Sequence, residues 1–353
     1  MAPKIDPAIL KALSLDAAST SLASHGGSGF SSTFKLCSRT SDGEVKLYFV
    51  KTGGKGSEIM FAGEHASLSK IHNIVPTLCP QSFAHGQLSS TTGSFLAIDF
   101  LNLSPSSSKP GSGIPLAHKL AKLHSTPAPI PDGYIKPMFG FPVPTCWYIL
   151  GKPVFFYFSL SRESGFSRNI GETAQDNSFK ESWADFYAEN RLRHILTCAE
   201  KNQGRDSTLS QLVETTASVV VPRLLCDGHL TSPDGSAIVP AVVHGDLWSG
   251  NRGKGTIGPD GGVEEVVFDP SACYAHSEYE FGIMGMFGGF GGAFNKEYWN
   301  VKGKDEPVGE WEDRRELYEL YHHLNHYAIF GGGYKSGAES IMRKLIKKYG
   351  DGT

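Results

Sequence analysis

Paired cysteines in the spacing of a metal site or a disulfide framework are missing from this chain. Its six cysteines, Cys37, Cys79, Cys146, Cys198, Cys226 and Cys273, are scattered singly, with no C-x-x-C among them. That argues against a zinc site or a disulfide scaffold and for reduced thiols in the cytosol. Long apolar runs are missing too, and nothing is predicted to span a membrane. The N-terminal stretch carries Lys4, Asp6, Lys11 and Asp16 without a continuous apolar core, unlike a signal peptide. An excess of one charge is also lacking. A net charge of −3 over 353 residues gives no footing for a polyanionic partner, which excludes nucleic acid as the main ligand. No internal repeat is present. These absences leave a soluble, cytoplasmic protein, long enough for two lobes.

What is present centres on the stretch Val242-Val243-His244-Gly245-Asp246-Leu247-Trp248-Ser249-Gly250-Asn251. A β-branched run opens into a polar loop with an aspartate, and an asparagine follows. A second apolar run, Val266-Val267-Phe268, then delivers Asp269 and Pro270. One carboxylate within reach of a hydroxyl and two hard oxygen ligands for Mg²⁺ are what phosphoryl transfer asks of a protein. Asp246 is the candidate base; Asn251 and Asp269 are the candidate metal ligands. The alternative reading makes the three a turn cap, a turn closer and a residue before a proline loop. Their order after strand-end Lys51 and helical Glu64 favours the chemistry. His244 reads as a structural loop residue, and Trp248 as either an apolar platform for a sugar face or core filling.

The N-terminal part supplies the matching pieces. A helix is expected over 6–17, with Asp6 as its cap. The small-residue segment from His25 to Phe34 reads as a hairpin loop, and strands at 33–38 and 45–51 flank a turn at Ser41-Asp42-Gly43. Gly27, Ser28, Gly29 and Phe30 would let backbone N–H groups approach phosphate oxygens. In a helix expected from about Ser57 to His72, Met60, Glu64, Leu68 and Ile71 share one face. A buried carboxylate there needs a cation to offset its desolvation, and Lys51 is the economical partner. A strand over 94–101 ends in Asp99, Phe100 and Leu101, whose backbone would offer its polar groups to an adenine edge.

The Ser/Pro/Gly tract that follows reads as a linker. The expected fold class is therefore α+β and bilobal: a small β-rich N-terminal lobe (1–101), a linker or insertion (102–115) and a larger, mostly helical lobe (116–353). In the second lobe a proline-rich stretch (127–144) precludes regular structure, and helices are expected near 116–124, 178–201, 206–226, 311–330 and 338–349.

Beyond the general pattern, the HGDLWSGN segment and the segment from Asp269-Pro270 through Tyr274, His276-Ser277-Glu278 and Glu280 resemble the fructosamine/ketosamine kinase family. So do Met60–Glu64, Phe139-Gly140-Phe141, Trp183–Tyr187 with Arg191-Leu192, and Met286–Phe290. The resemblance covers nearly the whole chain. It implies a protein-kinase-like fold and ATP- and Mg²⁺-dependent phosphorylation of the 3-hydroxyl of a ketosamine, on glycated proteins or glycated small amines, leading to deglycation. It would make Asp246 the proton acceptor, Asn251 and Asp269 the metal ligands, and Lys51 with Glu64 the phosphate-contacting pair. Trp248, Tyr274 and Glu278 are candidates for the substrate side.

One departure stands out. Many eukaryotic members carry a phosphate-loop cysteine that links two chains; here no cysteine precedes Cys37, and Gly27 sits roughly at that position, so a disulfide-linked dimer is not expected and the chain is expected to be a monomer. The Ser/Pro tract and the Thr231–Ala237 loop look like insertions. Two other classes compete with a ketosamine kinase: an aminoglycoside- or choline-type small-molecule kinase, and a non-catalytic binding protein of the same fold. Trp248 and the His276–Glu278 segment weigh against the first. The five intact site residues weigh against the second.

Overall fold

The computed structural model describes residues 4–27, 31–40, 42–103, 109–146 and 174–350. The chain opens with helix α1 (Pro7–Ala12), capped by the Asp6 carboxylate on Ala8 N–H at 2.8 Å. It is shorter than the sequence suggests, because Ser14 takes a positive φ of 53° and turns the chain away. Strands β1 (Thr20–Gly27), β2 (Ser31–Arg39), β3 (Val45–Gly53), β4 (Ser82–Gln87) and β5 (Ser94–Asp99) form a five-stranded antiparallel sheet in the order β1-β2-β3-β5-β4. Helix α2 (Ser57–Ile74) crosses between β3 and β4.

Alternation along β3 sorts its side chains. Tyr48 and Val50 enter a small core with Ile9, Leu22, Leu36, Phe95 and Ala97, whereas Phe49 packs against the main core. By the period of two, Lys51 takes the same side as Phe49. The face of α2 that buries Met60, Glu64, Leu68 and Ile71 is the one anticipated from helical spacing. Its apolar members join Leu96 and Ile98 of β5 in the main core.

Past Asp99 the chain leaves the sheet at Phe100, and β6 (Leu101–Asn102) pairs instead with β8 (Arg252–Ile257), itself paired with β9 (Val263–Val267). The described part of the expected linker is tied down rather than free. Lys109 C=O accepts from Val263 N–H at 3.0 Å, and Ser112 Oγ donates to Glu264 at 2.8 Å.

The second lobe is helical: α3 (Leu116–Ser125), α4 (Trp183–Asp185) continuing through a π-helical stretch (Phe186–Arg193) into α5 (His194–Gln203), then α6 (Ser207–Thr215) and α7 (Val221–Leu225). After the short strands β7 (Ala241–Val243) and β10 (Cys273–Ala275), which pair antiparallel, come α8 (Glu280–Phe287), α9 (Gly292–Lys302), α10 (Trp311–Phe330) and α11 (Tyr334–Tyr349). The proline-rich stretch forms isolated bridges, Pro127 to Ala241, Phe139 to Lys180 and Gly140 to Tyr274. The fold is a mixed α+β, bilobal one, as the sequence implies. No helix among the described residues is long and apolar enough to cross a membrane, and all six cysteines are free.

Candidate active site

Asp246 lies in the loop after β7, and its backbone is held before its side chain is. Gly245 adopts φ +79°, and a Cβ there would meet Ser271 C=O at 2.1 Å, so only glycine fits this turn. His244 pins the loop from its other side. Its Nε2–H donates to Phe268 C=O at 3.0 Å while Nδ1 accepts from Asp246 N–H at 3.3 Å. That pattern requires the neutral imidazole, in keeping with the burial that lowers the ring's basicity. Beneath the loop, Glu280 at the start of α8 accepts from His244 N–H at 2.6 Å and Gly245 N–H at 2.9 Å. His124 of α3 sits 3.4 Å from the same carboxylate and shares a hydrogen bond with Tyr298 OH at 2.7 Å. Sequence reading missed Glu280 as a functional support. Its partners are backbone N–H groups, which leave no spacing signature.

The Asp246 carboxyl itself is 3% exposed. Burial, reinforced by the Asp269 charge, pushes its pKa well above the usual carboxylate range, and the hydrogen bond from Asn251 only partly opposes this. Asn251 closes a one-turn 3₁₀ helix (Ser249–Asn251) and donates through Nδ2 to Asp246 C=O at 2.8 Å and Oδ2 at 3.1 Å. These bonds leave its amide oxygen unused.

Asp269 follows β9 in the left-handed conformation, φ +56°, which is uncommon for a residue with a side chain and marks a constrained position. Its Oδ1 accepts from Lys51 Nζ at 2.7 Å, and the same ammonium donates to Glu64 at 2.7 and 3.0 Å. The predicted Lys51–Glu64 pair is present, and Asp269 joins it across the two lobes. Burial alone would lower the Lys51 pKa; the Asp269 and Glu64 charges outweigh it and hold the ammonium above its ordinary value. One cation and two carboxylates leave a negative excess beside a third buried acid, Asp246. That is an environment suited to a divalent cation, and Asn251 and Asp269 offer it hard oxygen ligands.

The remaining expected residues are placed as follows. Ser28, Gly29 and Phe30 lie outside the described residues; Gly27 ends β1, paired with Ser32. At the hinge, part of the backbone expected to be free is already engaged. Asp99 N–H donates to Gln81 C=O at 2.9 Å, Phe100 N–H donates to Leu47 C=O at 3.2 Å, and Phe100 C=O accepts from Gly258 N–H at 3.1 Å. Leu101 is taken up in β6, opposite Ile257. Trp248 is half-buried, two residues from Asp246, and Gly250 lets its ring lie over the turn, since a Cβ there would meet the ring at 2.2 Å.

Tyr274 and Glu278 do not open onto the site surface. Tyr274 is 1% exposed, packed edge-on to Phe141, and burial pushes its phenol up to about 12. Both oxygens of buried Glu278 are committed: Oε2 to Arg314 Nε at 2.7 Å, and Oε1 to Arg314 Nη2 at 3.1 Å and Asp305 N–H at 3.2 Å. Both residues serve packing here, and the substrate role expected from the sequence is withdrawn. The nearby cluster of His276, Glu278 and Asp305 is likewise closed by internal partners, His276 to Asp305 at 2.8 Å and to Tyr318 OH at 2.8 Å.

With this geometry in place, comparison with known proteins decides the family. The fructosamine kinase family model matches residues 17–149 and 157–348. The chain belongs to the fructosamine kinase family. A protein-ribulosamine 3-kinase, chloroplastic, from Oryza sativa subsp. indica is 33% identical over 328 residues, 93% of this chain and 79% of its own. A ketosamine-3-kinase from Mus musculus is 37% identical over 177 residues, 50% of this chain and 51% of its own. Among solved structures, a candidate fructosamine-3-kinase from Thermobifida fusca superposes with a TM-score of 0.66 at 21% identity, covering 97% of this chain and 99% of that one. A thermostable mutant aminoglycoside phosphotransferase gives 0.51 at 14% identity, covering 99% and 100%. The structural likenesses establish the fold. Family membership, with relatives named as kinases, makes this fructosamine kinase family member a nucleotide-using phosphotransferase.

Proposed function

We propose that the protein is a ketosamine 3-kinase, transferring the terminal phosphoryl group of ATP to the 3-hydroxyl of a ribulosamine or fructosamine on glycated proteins or small amines. The observation that carries this reading is the convergence of Lys51, Glu64 and Asp269 in one buried ion-pair cluster, next to an Asp246 whose carboxyl is unusually basic. A carboxylate base more basic than usual accepts a hydroxyl proton more readily as the phosphoryl group arrives. Lys51, oriented by Glu64, would hold nucleotide phosphates. Asn251 and Asp269 would hold Mg²⁺, which when bound neutralises charge on those phosphates. Trp248 would lie against the sugar. Six free thiols and the lack of a metal or disulfide pattern support a reducing compartment such as the cytosol, although a plant relative is described as chloroplastic.

The test is nucleotide consumption with Mg²⁺ against ribulosyl-lysine, fructosyl-lysine, choline and kanamycin. Turnover on a ketosamine is the expected result. Turnover confined to choline or kanamycin would overturn the substrate assignment.

A further inference from the structure

From Trp248, a strip of rings runs outward over the surface of the larger lobe. Trp248 and Phe287 have ring centroids 5.8 Å apart; Phe287 and His326 are 5.2 Å apart. His326 is in turn 5.9 Å from Phe330 and 5.1 Å from Tyr334, and the last two are 6.1 Å from each other. Three elements supply these rings: the catalytic loop, the end of α8, and the α10–α11 corner. Phe287 is 40% exposed and Phe330 48% exposed, although each sits beside other aromatic rings that could have covered it. Phe287 and Phe330 are the exposed members, and Trp248, His326 and Tyr334 are partly covered beside them; exposed aromatic rings joined in this way mark an interaction site more often than a scattered apolar residue does.

The strip carries no charge at neutral pH. His326 Nδ1–H donates to His322 C=O at 2.8 Å, and desolvation pushes its pKa down to about 4. Beside Phe287 and at the far end the chain turns on glycines, Gly288 (φ +64°) and Gly332 (φ +65°), where a Cβ would meet nothing within 4 Å. At these two places the strip is bordered by bare backbone with open space above it.

We propose that this strip is the docking surface for the polypeptide that flanks a glycated lysine in the acceptor. The inference rests on the ketosamine kinase reading and deepens it, since it selects protein-bound over free adducts. Its argument is continuity: the strip begins at Trp248, two residues from the base Asp246. A sugar seated at Asp246 on a lysine side chain leaves that lysine's own backbone outside the cleft, and the flanking residues must then cross the adjoining surface. From Trp248 through Phe287 and His326 to Tyr334 the strip spans at most about five residues of extended chain at ~3.3 Å each. Ring faces suit both apolar side chains and the cationic side chains of neighbouring lysines or arginines.

The test compares free ribulosyl-lysine with a short ribulosylated peptide, using the full chain and a Phe330→Ala/Tyr334→Ala double variant. These residues lie at the far end of the strip, on the surface. The expected result is a KM for the peptide raised about tenfold, equivalent to about 1.4 kcal/mol, with kcat/KM for free ribulosyl-lysine unchanged. Fluorescence anisotropy of the labelled peptide supplies a readout that needs no turnover, and binding to the wild type should weaken by the same factor in the double variant. Phe330→Glu, which keeps a long side chain but adds charge, should act in the same direction. Equal losses on both acceptors, no loss on either, or a change of oligomeric state in the variants without a change in peptide affinity would each overturn the proposal. Absence of ketosamine turnover by the wild type, with peptide affinity still dependent on the strip, would instead indict the substrate assignment alone.

Discussion

Asp246 is costly to the fold and needed for the reaction, and the two demands separate in one substitution. Its raised pKa means that the folded state holds a proton more tightly than the unfolded one. Its favourable contribution is therefore complete below the unfolded carboxylate pKa and is lost as pH rises through the folded value. Once ionised, the carboxylate is a buried like-charge neighbour of Asp269. Asp246→Asn keeps an oxygen for Asn251 Nδ2 while removing that charge. It should raise the melting temperature of the ligand-free protein at a pH above the folded pKa of Asp246, yet lower turnover by about 10²–10⁴-fold, with nucleotide affinity largely retained. An unchanged rate would remove Asp246 from the role of base. The same shift places the acidic limb of kcat/KM above the range of an ordinary carboxylate, with activity rising as pH increases through it. A limb at the ordinary Asp value would count against the burial argument.

These residues were legible because their order along the chain reports roles that side chains play on one another: lysine, helical glutamate, loop aspartate, asparagine, strand-end aspartate. Tyr274 and Glu278 were misplaced for the complementary reason. Sequence reveals that a polar group exists near a motif, but not that Arg314, far along the chain, has already claimed it.

At the scale of elements, the longer amphipathic helices and the central strands announced themselves, whereas α8 and α9, in a stretch rich in glycine and phenylalanine, did not. The α10 boundaries, Trp311–Phe330, coincide with those expected from the apolar spacing, and β3 and β5 were visible as apolar runs. β4 was missed because it alternates between buried and exposed along Ser82–Gln87, with Phe83 on the open side. β1 was hidden by small and polar residues, and only its end, from His25, fell within the expected hairpin loop. Short α1 shows how a cap can serve two elements: Asp6 accepts from Ala8 N–H, and also from Ser89 N–H at 3.0 Å and Ser90 N–H at 2.9 Å in the loop after β4. Burial would raise its pKa, but the Ser90 Oγ–H bond at 2.6 Å, with those from the backbone, holds Asp6 down at about 2. Asp6→Ala should cost about 1 kcal/mol of unfolding free energy, typical of a lost N-cap, measured by urea denaturation at pH 7. Because Asp6 is depressed, its contribution is present above the ordinary carboxylate pKa and fades as pH falls toward 2. A deficit that persisted undiminished at the lowest pH would refute the charge-based part of this account.

Across the whole molecule, the two lobes are joined by more than the hinge. Lys119 of α3 is 1% exposed and donates to Thr77 C=O at 3.0 Å, Glu264 Oε2 at 2.6 Å and Glu265 C=O at 3.0 Å. Thr77 lies just after α2, so this one ammonium ties the helix that carries Glu64 to the β8–β9 hairpin that leads to Asp269. Val267 N–H, donating to Leu78 C=O at 2.8 Å, repeats the tie next door. Lys119→Met should destabilise the protein by about 3 kcal/mol, the low end for leaving a buried carboxylate unpaired, and should weaken nucleotide binding as well. Loss of stability with unaltered nucleotide affinity would show that the strap does not set the spacing of the cleft. Sequence alone could not foresee this role, since Lys119 reads as an ordinary solvent-facing lysine on an amphipathic helix. The insertion-like loop from Thr231 to Ala237 is likewise structural: Thr231 exchanges backbone hydrogen bonds with Glu306 at 3.0 and 2.8 Å, bracing the turn before α10.

The central claim is that the buried cluster around Asp246 transfers phosphate to a ketosamine. Phosphate transfer from ATP to ribulosyl-lysine in the presence of Mg²⁺, wild type beside Asp246→Asn, tests it most directly. Phosphorylated product from the wild type and none above background from a variant that still binds ATP is the predicted result. Equal product from both, or none from a wild type that binds ATP, would contradict it.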